Sequence, residues 1–363
     1  MSRRLRPFAA VVAAALLAAC SSGSSTSPTT AAGPGTTAAP ATTGGDTVAT
    51  DAVTTTMASD TTAPAPSAPV YPLTGLPITD EAASLRPALV VKIDNNAAAR
   101  PQSGLNEADI VFEEIVDVQT RFAAVFQSQT ADPVGPIRSG RTQDIMLLGS
   151  LNHPLFMWSG GNANVTRAIE GSDFVNLSAQ RSNVYAGAGF FRSNDRKSPH
   201  NLYASTSAAW TLAPEGAEAP PQQFNYLAPG TAATGAPASG VDLDMFGLAV
   251  GWRYDPASGL YLRTSDGKPH NDVLSGQVST NNVIVMVVDY QPSAADGRSP
   301  EAQTIGSGEV YVYTGGTVVH GTWTRGDRLA AVAMTDDAGN VIRLTPGRTF
   351  IELAKPATFQ TFG

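Results

Sequence analysis

Hydrophobic positions are distributed along this chain in three patterns, each marking a different kind of segment. The first is an unbroken small and apolar run from Phe8 to Ala19, preceded by Arg3, Arg4 and Arg6 and closed by Cys20. The second runs from Ser21 to Val70, which is mostly Ser, Thr, Ala, Pro and Gly, with no aromatic residue, no Leu or Ile, and only Asp46, Asp51 and Asp60 charged. Such a stretch cannot build a core. The third begins at Tyr71, where aromatic and branched residues return and continue to Gly363. This body is long enough for one large domain or two closely packed ones.

Within the body, a softer segment from Ala213 to Gly240 carries Pro214, Pro220, Pro221, Pro229 and Pro237 and divides an N-terminal lobe (71–212) from a C-terminal lobe (241–363). In the first lobe, Ala88 to Ile93 is a short apolar strand, and Asp109 to Val118 and Arg121 to Gln127 are β-rich runs that could pair. Helical spacing follows at Gly140 to Leu151, Asn164 to Glu170 and Ala204 to Leu212. The second lobe predicts strands at Gly259–Arg263, Asn282–Tyr290, Glu309–Tyr313, Thr317–Trp323, Leu329–Met334, Val341–Leu344 and Thr349–Leu353. Asp266-Gly267, Asp296-Gly297, Gly315-Gly316 and Ala338-Gly339-Asn340 are tight-turn signals, so antiparallel pairing is the default. The expected class is α+β: a layered, mixed-sheet N-terminal lobe with helices, and a β-rich C-terminal lobe.

The leader has the three parts of a signal peptide. Its apolar run is about a dozen residues, short of the roughly 20 that span a bilayer. Leu17-Ala18-Ala19-Cys20 resembles a bacterial lipobox, in which the cysteine is acylated and becomes the mature N-terminus. The alternative is an ordinary secretory cleavage that leaves a lone thiol. The chain's single cysteine has no internal disulfide partner and stands where a lipobox needs it. Acylation with two or more chains supplies stable anchoring. The expected partner is therefore the membrane, through the lipid on Cys20, and the expected location is the outer face of the bacterial cytoplasmic membrane. The segment 20–70 would then be a lipidated, disordered spacer, with a reach of about 35 to 40 Å if it behaves as a flexible coil.

Charge changes the picture in one respect. Lys plus Arg minus Asp plus Glu is 23 − 31 = −8 for the whole chain, and 20 − 31 = −11 once the three leader arginines are removed. An acidic protein is a poor partner for nucleic acid or for an anionic membrane surface. Residues 133–211 nevertheless hold seven Lys plus Arg against four Asp plus Glu.

Several chemistries lack their residues. Ser265-Asp266-Gly267-Lys268 matches Ser-x-x-Lys, but it lies in a turn between strand-like segments rather than at a helix start, and no Lys-Thr-Gly accompanies it. There is no Gly-x-Ser-x-Gly elbow and no phosphate loop, and the only thiolate source is Cys20. His153, His200, His270 and His320 have no metal-ligand spacing, so neither a metal nor a cofactor is expected. His200 and His270 each follow a proline and precede an asparagine, and could line a cleft or bond to their own loops.

The order of motifs carries a resemblance. Arg100-Pro101-Gln102-Ser103-Gly104-Leu105, Ala108-Asp109-Ile110-Val111, Thr120-Arg121-Phe122 and Gly135-Pro136-Ile137-Arg138-Ser139-Gly140-Arg141 resemble the N-terminal signature of the YerB-like lipoproteins. Pro199-His200-Asn201-Leu202-Tyr203, Gly267-Lys268-Pro269-His270 with Asp272, Asn282-Val283-Ile284-Val285 and Gly321-Thr322-Trp323 resemble its later blocks. The resemblance spans Tyr71 to Gly363. It implies a layered α/β structure on mixed sheets and brings no known catalytic residue. Asp117-Val118-Gln119 departs from the Gly-Gly type turn expected there.

Arg138 and Arg141 flank the expected start of the helix after Gly135-Pro136, where cations are unfavourable unless an anion lies against them. That anion could belong to a ligand, or be the protein's own Asp94, Asp109, Glu113 or Glu114, with Arg100 and Arg121 in the same network. Glu113 and Glu114, adjacent on a strand, point to opposite faces and cannot form a catalytic pair with each other. The candidate binding residues are Arg100, Arg121, Arg138, Arg141, Asp94, Glu113 and His200. The expected activity is that of a binding or scaffold module for an envelope component or protein partner. The alternatives are a wall glycan or peptide hydrolase using Asp94 or Glu113 with His200, and a purely structural module whose arginines are internally paired.

Overall fold

The computed structural model describes residues 68–363. The leader, Cys20 and all but the last residues of the spacer lie outside them. Among the described residues, no helix is long and apolar enough to cross a membrane.

Fourteen strands carry the architecture: β1 (Leu89–Asp94), β2 (Ile110–Val116), β3 (Gln119–Phe126), β4 (Leu155–Trp158), β5 (Val175–Ser178), β6 (Gly240–Asp244), β7 (Ala249–Asp255), β8 (Leu260–Ser265), β9 (Asn282–Val287), β10 (Gly306–Thr314), β11 (Thr317–Arg325), β12 (Ala333–Asp336), β13 (Thr349–Ala354) and β14 (Phe359–Phe362). The main sheet runs β12-β11-β10-β9-β13-β2-β3-β1-β4-β5, so strands from both halves of the body share one sheet. Antiparallel pairing was only part of the answer: β13 lies parallel to both β9 and β2, and β1, β4 and β5 are mutually parallel neighbours. β1, β9 and β13 are buried at every position, as strands covered on both faces require.

The covering layers follow from side-chain alternation. Leu89, Val91, Ile93, Phe122, Val283, Val285 and Phe350 face one way. They meet Val241, Leu243, Val250, Trp252 and Tyr261 of a second sheet, ordered β8-β7-β6-β14, which is antiparallel throughout. The opposite residues, including Val90, Val125, Ile284 and Leu353, pack with Leu147 of α2 (Gln143–Leu147) and Val165 and Ile169 of α3 (Ala163–Glu170). Asn162 caps α3 by accepting from the N–H groups of Asn164 and Val165.

Several expected elements change form. The helix over Gly140–Leu151 shrinks to α2 and a single 3₁₀ turn, Gly149–Leu151. Leu329–Met334 yields only β12, and Leu329 is exposed. Val341–Leu344 forms single bridges rather than a strand, because burying Ile342 and Leu344 needs one extended rod and no ladder. The run Asn282–Tyr290 breaks after Val287, and Tyr290 starts a separate two-stranded ribbon with Pro300–Ala302. The proline-rich segment 213–240 is bound into the body: Phe224 is buried, Gln223 bonds to Ser150, and the Leu227 N–H donates to Leu344. The β2–β3 hairpin closes despite the missing glycines, with Asp117 at φ 47° in a two-residue turn.

Candidate functional site

At the carboxyl end of parallel strands, loops diverge and ligand sites concentrate. Here that end is wedged by the extended segment Val134–Arg138. Its Ile137 bridges Ile93, and the Ile137 N–H donates to the Leu202 carbonyl at 2.6 Å. The Arg138 N–H donates to the Lys92 carbonyl, and the Arg138 carbonyl accepts from the Ser159 N–H, each at 2.9 Å. The wedge therefore brings Arg138, the last residue of β1 and the loop before Leu202 to one point.

The result is a cluster of three side chains. Asp94 Oδ2 lies 3.0 Å from Arg138 Nε and 2.7 Å from His200 Nδ1. Asp94 is fully buried, whereas the Arg138 and His200 side chains keep 22% and 19% of their surface exposed. With Nδ1–H given to Asp94, His200 presents Nε2 outward. Neither that atom nor the terminal nitrogens of Arg138 hydrogen-bonds to any described residue. A buried carboxylate thus orients two outward-facing polar groups, the kind of support that holds a binding site in shape.

The other candidates separate. Arg141 turns inward, pairing with Asp117 and donating to Ser299 Oγ at 3.1 Å. The anion at the start of α2 is the protein's own Asp144, which accepts from the Arg141 N–H at 2.7 Å. Arg138 lies in the loop, clear of that helix. Arg121, opposite Asp94 in the β1–β3 ladder, is buried and donates to the Ser139 carbonyl at 3.2 Å. Burial, with Arg141 and Arg138 nearby, lowers its pKa to about 9. Arg100 donates to Asn95 Oδ1 and to the Asn95 carbonyl at 3.1 Å each, with its remaining arm 3.4 Å from Asp266. Asp109 bonds to Ser128 and to the Gln127 N–H, and pairs with no arginine.

Glu113 is sealed inside, accepting from Asn95 at 2.9 Å and Thr120 at 2.6 Å and pairing with Arg263. Glu114 points to the other face and pairs with Lys92, which also bonds to Asp144 at 2.8 Å. Arg263 joins the two sheets, because Glu352 of β13 lies on its other side, 3.9 Å from Nε, and accepts from Trp252 Nε1 at 2.8 Å. Burial first, and Glu113 second, push the Glu352 carboxyl well above the usual carboxylate range. His270 belongs to the same core. It accepts from Ser265 Oγ at 2.9 Å and gives Nε2–H to Gln102 at 2.7 Å. Burial and the nearby Arg263 and Arg100 hold its pKa well below 6.5. Lys92, Asp144, Arg263 and Glu352 were not among the sequence candidates, although a charge inside an apolar strand is a signal for each except Asp144.

On the far side of the Asn95–Pro101 loop, a cleft of about 430 Å³ opens beside the β8 turn, lined by Arg100, Pro101, Asp266, Lys268 and Asn271, with His270 at its base. Asp266 and Gly267 form that turn, with φ of 51° and 72°, which rules out a helical Ser-x-x-Lys arrangement.

Residues 73–218 match the family model described as "Protein of unknown function (DUF3048) N-terminal domain", and residues 241–351 match its C-terminal counterpart. A Bacillus subtilis protein named "Putative lipoprotein YerB" is 30% identical over 294 residues, covering 78% of this chain and 85% of that protein. The chain belongs to the YerB-like DUF3048 family. The crystal structure of B. subtilis YerB superposes with a TM-score of 0.70 at 26% identity, over 80% of this chain and 99% of that one. The family's fold is thus the one described above, an α+β body of mostly sheet with few helices.

Proposed function

We propose that this family member is a lipid-anchored extracytoplasmic binding or scaffold module that recognises an anionic group on an envelope component through Arg138 and His200. The observation that carries the reading is the Asp94 cluster: a fully buried carboxylate ion-pairs with a guanidinium and bonds to an imidazole, and the outer nitrogens of both have no partner among the described residues. A guanidinium of fixed orientation suits a carboxylate or phosphate. The anchor rests on the Cys20 lipobox and on the relative's name.

The test is binding of the full chain, held in lipid nanodiscs, to purified envelope fractions. Arg138→Gln is expected to weaken binding about tenfold or more, the scale of one charge-assisted contact, while a thermal melt stays close to wild type. Binding unchanged by Arg138→Gln, or no binding by the wild type, would overturn the proposal. A hydrolytic reading draws on one feature, the outward Nε2 of His200 backed by Asp94, which is the posture of a general base. It expects wall fragments to be cleaved by the wild type and not by His200→Gln. A structural reading draws on Arg121 and Arg141, which are both engaged internally.

A further inference from the structure

The Asp94 cluster and the cleft beside Arg100 lie on two sides of one short loop. Asp94 begins that loop and Arg100 ends it, so six residues of chain hold their Cα atoms within about 22 Å of each other. A second cation closes the gap. Arg196, four residues before His200, donates one arm to the Ala99 carbonyl and the other to the Pro101 carbonyl, and Pro101 lines the cleft. The loop that carries His200 is thereby pinned to the loop that carries Arg100. Exposed Lys197 stands beside Arg196, and exposed Lys268 stands across the cleft from Arg100. Arg138, His200, Arg196, Arg100 and Lys268 thus form a basic track on a body whose net charge is strongly negative. Asp195 and Asp266 are acidic side chains at its edge, the latter 3.4 Å from Arg100.

We propose that this track binds a linear polyanion, with one anionic group at Arg138 and His200 and another in the cleft at Arg100 and Lys268. The inference rests on the binding reading above and adds a second subsite and a repeating ligand. Two linked contacts raise affinity by effective concentration, so a polymer gains far more than either subsite alone can give. An acidic protein would repel a polyanion everywhere else, which confines it to the track.

The full chain in uncharged nanodiscs is titrated with orthophosphate and polyphosphate, and in parallel with glutamate and polyglutamate. The expected result is that one polymer binds about 100-fold tighter than its monomer, and that rising salt weakens the polymer more steeply. Whichever pair shows the gain identifies the anion as phosphate or carboxylate. Lys268→Gln, at an exposed side chain that makes no hydrogen bond or ion pair among the described residues, and Arg100→Gln each cut polymer binding more than monomer binding. Equal affinity for polymer and monomer, or a polymer advantage that survives both substitutions, overturns the second subsite and leaves the Arg138 reading standing. Indifference of every probe to Arg138→Gln overturns both.

Discussion

Arg263→Met is the perturbation whose consequences the structure fixes most tightly. Arg263, Glu113 and Glu352 are all fully buried, and Arg263 is the cation that pairs with Glu113 across the joint between the two sheets. The raised pKa of Glu352 favours its uncharged form, so the native pairing is chiefly that of Arg263 with Glu113. Methionine fills a similar volume but leaves Glu113 with only the Asn95 and Thr120 hydrogen bonds. Removing one partner of a buried ion pair costs about 3–5 kcal/mol. At about 2–4 °C per kcal/mol for a domain of this size or slightly smaller, Tm should fall by roughly 6–20 °C. Arg263→Met with Glu113→Gln removes both charges and should recover most of the loss. Thermal and urea unfolding of the full chain measure all three proteins. A single-variant loss below about 1 kcal/mol, well under the range for a broken buried pair, or a double variant no better than the single, would refute the reasoning.

Glu352→Gln keeps the acceptor for Trp252 Nε1 and removes a proton-dependent term. The folded pKa of Glu352 lies well above its ordinary 4.5, so its favourable contribution is complete below that value and is lost as pH rises through the folded pKa. The variant should therefore gain on the wild type as pH rises above the ordinary carboxylate range; melting profiles that stay parallel over that rise would count against it. Cys20→Ala should release the protein from the membrane fraction, and mass spectrometry of the wild type should find an acylated N-terminal Cys20. An unmodified N-terminus on the membrane form would contradict the lipobox reading.

Strands dense in apolar residues were legible even where a buried Lys92, Glu113 or Glu352 interrupts the run. β1, the β2–β3 pair, β9 and β13 were all expected near their observed limits. Their parallel partnerships were not, since the rhythm of one strand says nothing about the direction of its neighbour, and β13 reaches β2 across more than half of the body. β6 and β7 went unseen because Val241, Leu243, Val250 and Trp252 are separated by acidic residues and glycine on an open face. The site was legible in part. Asp94, Arg138 and His200 were each singled out, and the wedge of Val134–Arg138 between β1 and Leu202 brings them together. That wedge is a loop without periodicity, so no sequence pattern announces it.

The placement of charge links the fold to the proposed site. Three ionisable groups sunk into the main sheet have partners from a different segment: Lys92 with Asp144, Glu113 with Arg263, Asp94 with Arg138 and His200. Buried pairs seldom add net stability over apolar residues of the same size, but they penalise every register that separates them. In the first two pairs both members are sealed, and the geometry they enforce is that of the sheet and its covering layers. In the third, only the carboxylate is sealed. The same device that elsewhere fixes one segment against another here holds two polar groups at the surface, and a guanidinium held in place before its ligand arrives loses less freedom on binding. Asp94→Asn should therefore loosen recognition more than it loosens the fold, the reverse of what Arg263→Met does.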